Sequence, residues 1–163
     1  MKNTLFYSVL LFVIGFVLVP AVVMGATTTT TFNVQTNLIG ACSATASNMD
    51  FGDLPASSSF TNNGSSDVTV NCSPGTVYAV RLNGGSNPTG VNTERRLRNG
   101  TGYLTYYLYA DSARTTIFVT DTTAVMVTGN GSPQSTPIYG SITGSGSQPT
   151  GTYSDVVTVT VTY

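Results

Sequence analysis

Val157-Thr158-Val159-Thr160-Val161-Thr162-Tyr163 carries the clearest periodicity in the chain. Val157, Val159, Val161 and Tyr163 point one way, and Thr158, Thr160 and Thr162 the other. Strict alternation of β-branched residues predicts a half-buried strand. The same period recurs upstream. Val68, Val70 and Cys72 alternate with Asp67, Thr69 and Asn71 until Ser73-Pro74-Gly75 stops the run. Tyr78, Val80 and Leu82 alternate next and end at Asn83-Gly84-Gly85. From Leu104 to Ala110 one face carries Leu104, Tyr106, Leu108 and Ala110, and the other Tyr103, Thr105, Tyr107 and Tyr109. Shorter signals follow at Ile117-Phe118-Val119, at Val125 and Val127, and at Ile138 and Ile142 around Gly140. Short strands separated by turn residues predict an all-β sandwich or barrel. No helical period is sustained beyond the N-terminal apolar run. Asn83–Gly102, polar and holding Arg95, Arg96 and Arg98, reads as a long loop with a solvated arginine face, an anion-binding patch being the alternative.

Composition narrows the chemistry. Of 163 residues only 8% are charged, with six Lys+Arg, seven Asp+Glu and no His. A net charge of −1 argues against an electrostatic nucleic-acid binder, which needs a basic face. Lack of His removes the commonest general base and metal ligand. The acids are scattered, and no Ser or Thr has a His or Lys beside it to act as base. The expectation is no catalytic residue, no metal and no cofactor.

Lys2, the apolar run Leu5–Val19, Pro20 and the small residues Gly25 and Ala26 have the layout of a secretory signal peptide. Residues 1–26 are assigned to it, with cleavage after Gly25 or Ala26; an uncleaved membrane anchor over Leu5–Met24 is the alternative. Lys2 would leave with the signal, so five Arg and seven acids remain, a net charge of −2. Export sets the redox context. Cys42 and Cys72 are the two cysteines, and an even pair in an exported protein reads as a disulfide, with two buried thiols as the alternative.

Residues 27–39 differ from the rest. After a run of threonines, Thr28, Thr30, Phe32, Val34, Thr36 and Leu38 fall on one parity, without Pro or charge. The segment is either a first strand or tail of the domain, or a strand that docks into a neighbouring subunit.

Gly40-Ala41-Cys42, Met49-Asp50-Phe51-Gly52, Val68-Thr69-Val70-Asn71-Cys72, the run Leu104–Thr115, Pro137–Ile142 and Gly151–Asp155 before the final Val/Thr strand together resemble the subunits of archaic, Csu-type chaperone–usher pili, the spore coat protein U domain family. The resemblance covers the chain after the signal. It implies an incomplete immunoglobulin-like sandwich over residues 40–163, completed by a donor strand from a neighbouring subunit. Val157, Val159, Val161 and Tyr163 would edge the acceptor groove, and Thr28 to Leu38 on the even parity would be the donor. The implied partners are a periplasmic chaperone, an outer-membrane usher and identical or related pilus subunits. The implied product is an extracellular adhesive fibre supporting surface attachment and biofilm formation. With about 15 residues between the signal and Cys42, a shaft or adaptor subunit is expected rather than a tip adhesin. A monomeric secreted carbohydrate-binding module is the alternative, with Tyr103, Tyr107 and Tyr109 available to stack on sugars. Asp111 and Arg114 are expected to stabilise a turn as a pair, with a ligand site as the alternative.

Overall fold

The computed structural model describes residues 24–163. All of the predicted signal peptide except its last three residues therefore lies outside the described residues. Eight strands follow: β1 (Cys42–Ala46), β2 (Ser59–Cys72), β3 (Val77–Leu82), β4 (Arg95–Asn99), β5 (Gly102–Tyr109), β6 (Val125–Thr128), β7 (Gln134–Ser145) and β8 (Val159–Thr162). There is no helix among the described residues. The strands form a five-stranded sheet, order β1-β2-β7-β5-β4, and a three-stranded sheet, order β6-β3-β8. Every pairing is antiparallel.

Alternation explains the packing. Val68 and Val70 of β2, Ile138 and Ile142 of β7, and Leu104, Tyr106 and Leu108 of β5 are buried on the inner face of the large sheet. Tyr78, Val80 and Leu82 of β3 are buried against them from the small sheet. The core parities expected for β2, β3 and β5 are those observed. Phe118, from the short apolar run, is fully buried without belonging to a strand; its amide donates to the Leu108 carbonyl at 2.8 Å.

β2 and β7 form the spine. Their register runs from Ser59 opposite Ser145 to Val70 opposite Gln134. Sequence patterning found only Val68–Cys72 of β2 and the isoleucines in the middle of β7, because Thr61–Asp67 is small and polar. Gly64 stands opposite Gly140, and a Cβ at Gly140 would run into Met49 and Phe51, which cover the pair. Glycine here makes room for a close approach.

Two expectations are corrected. Asn83–Gly102 is not one loop, since Arg95–Asn99 is β4, paired with β5 from Arg95 opposite Tyr106 to Asn99 opposite Gly102. Nor is Arg95 part of a solvated face; it is fully buried. It occupies an inward position of the strand, where an arginine masks the alternation that Leu97 continues. The final ladder is also shorter than the Val/Thr pattern: β8 pairs with β3 only from Val159 to Thr162. Just before it, β3 has ended, and the Thr158 amide donates to the Asn83 side chain at 2.8 Å instead.

Residues Met24–Ala41 form no strand. Phe32 and Val34 are 85% and 83% exposed, and Leu38 is 89% exposed.

Candidate functional site

β8 ends the three-stranded sheet, bonded to β3 on one side only. Beside it the two sheets part around a cleft of about 970 Å³. Its floor is made of core positions of the large sheet, among them Val68, Leu104, Leu108, Ile138 and Ile142. Ala46–Ala56 forms one wall and Gln148–Val157 the other. β1 stops at Ala46, and the chain after it lines the cleft without pairing with β8. An edge strand beside a cleft with an apolar floor leaves main-chain donors and acceptors free next to buried surface, an arrangement that proteins usually protect.

Val157 and Val159 line this cleft. Val161 is half-buried farther along the strand, and Tyr163 is 61% exposed. The even-parity residues Thr28, Thr30, Phe32, Val34, Thr36 and Leu38 are all exposed, in a stretch without secondary structure.

Cys42 and Cys72 are bonded, closing a sequence separation of 30. They stand directly opposite one another at the foot of the β1–β2 ladder, with Cα atoms 4.1 Å apart.

A polar network that sequence patterning missed lies at one end of the cleft. The Tyr106 hydroxyl donates to Asp155 Oδ2 at 2.7 Å. Asp155 Oδ1 accepts from the Ser86 amide at 2.8 Å and the Asn87 side chain at 3.1 Å. Burial, reinforced by the bond to Asp155, pushes the Tyr106 phenol far above its ordinary range. Nearby, the buried Arg95 donates to the carbonyls of Asn83 at 2.8 Å, Phe118 at 3.0 Å and Leu82 at 3.5 Å. Burial lowers the Arg95 pKa from its ordinary value, while Tyr106, Asp155 and Asp121 act the other way. The one sequence signal for this network was Asn83-Gly84-Gly85, where Gly85 has a φ of 79°.

The Arg114 amide donates to the Asp111 carbonyl at 3.0 Å and closes the turn, but the two side chains do not pair and act on other groups. Asp111 accepts from the Thr116 amide at 2.6 Å and from the Thr115 amide and hydroxyl. These bonds, led by that from Thr116, hold its carboxyl below the usual range. Arg114 donates to the Gly140 carbonyl at 3.1 Å. No group of three or more His, Cys, Asp or Glu side chains converges on a metal-sized site among the described residues.

Fold and cleft together define a two-sheet antiparallel β-sandwich with a cleft of mixed polar and apolar lining beside the free edge of β8. The chain belongs to the Spore Coat Protein U domain family, whose profile matches residues 28–160. It is 30% identical over 154 residues to Protein U of Myxococcus xanthus, covering 85% of this chain and 86% of that protein. Among solved structures it is similar to a chain of the chaperone-tip adhesion subunit pre-assembly complex CsuC-CsuE, from the archaic chaperone-usher Csu pili of Acinetobacter baumannii. The TM-score is 0.58 at 22% identity, over 77% of this chain and 40% of that one. At that identity the likeness is one of fold.

Proposed function

We propose that this protein is a structural pilus subunit, not an enzyme, that polymerises head to tail by donor-strand exchange. In this reading a periplasmic chaperone covers the cleft first. An outer-membrane usher then exchanges it for residues 28–38 of another subunit, and the fibre serves surface attachment and biofilm formation outside the cell. The observation that carries the reading is the cleft, with its apolar floor and more polar walls, beside the unpaired edge of β8. A docked strand would take up that edge with main-chain hydrogen bonds and place alternate side chains on the floor. Phe32 and Val34 are the largest even-parity anchors, and burying either is worth roughly 1.5–3 kcal/mol.

The test is the amount of heat-dissociable polymer on a gel, beside the amount of chaperone–subunit complex. Val34→Asp would force an unpaired charge into the cleft. It is expected to abolish polymer while preserving the chaperone complex, because the variant's own cleft is intact. Substitution at Thr29 or Thr31, on the other parity, is expected to do far less. Normal polymerisation of Val34→Asp would overturn the donor role of this segment.

A further inference from the structure

On the outer face of β4 and β5 two arginines converge on one tyrosine. The Arg96 guanidinium carbon lies 4.5 Å from the centre of the Tyr103 ring, and that of Arg98 lies 5.8 Å from it. Arg98 is directly opposite Tyr103 in the register, and Arg96 is opposite Thr105. Both distances are within cation–π range, so the ring holds two like charges close together. Backbone carbonyls fix the guanidiniums further: Arg96 donates to Pro88 at 2.7 Å and Asn87 at 3.4 Å, and Arg98 to Gly100 at 2.8 Å. None of these bonds goes to a carboxylate. In a chain with net charge −1, two pre-oriented cations therefore stand side by side without an anionic partner, each with N–H groups to spare.

We propose that this face binds an acidic polysaccharide. Positions two apart on a strand are about 6.6 Å apart, so Arg96 and Arg98 present two guanidinium forks in a line, each suited to a carboxylate. Charge complementarity calls for an anion, and the pairing of forks calls for one that repeats along an extended polymer. Tyr103 keeps 38% of its surface exposed and offers a ring edge and hydroxyl to a sugar. The outward neighbour Thr105 on β5 and Ser141 on β7, opposite Tyr107, add hydroxyls. A lipid surface fits less well, because membrane docking needs apolar side chains to insert. Val77 and Met126 belong to the other sheet, and the exposed Val91, in the loop after Pro88, is a single side chain. The inference rests on the folded subunit alone and is independent of whether it polymerises.

The experiment measures binding of the purified, disulfide-intact protein to alginate, a polymer of uronic acids. Dextran, poly-glutamate and phosphatidylglycerol vesicles serve as comparison probes. Expected are binding to alginate, none to dextran, and at least a tenfold loss in R96Q/R98Q. R98Q alone removes the more exposed cation and leaves the Arg96 anchor to Pro88, so it provides a variant that keeps the loop; a severalfold loss is expected. Thermal unfolding of each variant establishes that it is folded. Failure of the native subunit to bind alginate, or unchanged binding in both variants, would overturn the proposal. So would poly-glutamate or vesicles binding as tightly as alginate, which would make the patch a general anion or membrane site.

Discussion

Arg95 Nη1 lies 3.0 Å from the carbonyl oxygen of Phe118, and this bond ties the edge strand of the large sheet to a buried segment outside either sheet. With the bonds to Asn83 and Leu82, one planar guanidinium supplies partners for three carbonyls in the interior. Buried acceptors are costly when left alone.

Arg95→Met should therefore destabilise the domain by about 2–3 kcal/mol, although it relieves the burial of a charge. Arg95→Lys should recover little, because an ammonium cannot reproduce the fork. Urea unfolding monitors both; a midpoint equal to that of the native protein for Arg95→Met would contradict the role given to this side chain.

Alkaline pH should destabilise the fold partly through Tyr106. Its phenol is held neutral by burial and by donation to Asp155, whereas in the unfolded chain it ionises near the ordinary value of 10.0. The raised folded pKa means that its contribution is complete below pH 10 and is lost as pH climbs above it. The slope from this residue approaches roughly 1.4 kcal/mol per pH unit. Urea titrations from pH 8 to pH 11.5 should show a shallower decline for Tyr106→Phe. An identical slope in the variant would assign the alkaline sensitivity elsewhere.

Gly85→Ala should cost at least 1–2 kcal/mol, since the residue has a φ of 79°, a region unfavourable to L side chains. A Cβ there would also meet the Asp155 carboxylate, displacing it from Ser86 and Tyr106. The second effect should vanish in an Asp155→Ala background. A double-mutant cycle separates the two, and simple additivity would mean that the collision is absorbed elsewhere.

Cys72→Ser should remove roughly 3.5–4 kcal/mol, the chain-entropy value for a loop of this size. That is a large share of the stability of a small domain. The readouts are the urea midpoint of purified protein and the periplasmic yield. A yield and midpoint unchanged from the native protein would show that the β1–β2 ladder suffices without the bond.

Regions where one face is apolar and the other polar were legible from sequence: β3, β5 and the inner end of β2 show their parity in Tyr78, Leu104 and Val68. The disulfide was legible because export and an even cysteine count leave few options. Long polar strands were not. Thr61–Asp67 joins the ladder through backbone groups that any residue supplies, so its composition resembles a loop. Arg95 was misplaced for the opposite reason, since its surroundings of backbone carbonyls are set by tertiary structure and leave no local trace. The cleft is lined by chain that leaves β1 at Ala46 and does not pair with β8. Hydrophobic patterning marks which residues of β8 face inward, and cannot mark a missing neighbour.

The position of the disulfide governs how the domain carries mechanical force. Cys42 is the first residue of β1 and is bonded to Cys72, the last residue of β2. A pull on the backbone ahead of Cys42 cannot peel β1 away one hydrogen bond at a time, because the covalent link bypasses that short ladder. Tension passes straight into β2, whose register with β7 spans all 12 residues of the latter. Force along these strands shears many hydrogen bonds at once instead of unzipping them in sequence. Reduction would convert the same pull into a peel that begins at the five-residue β1.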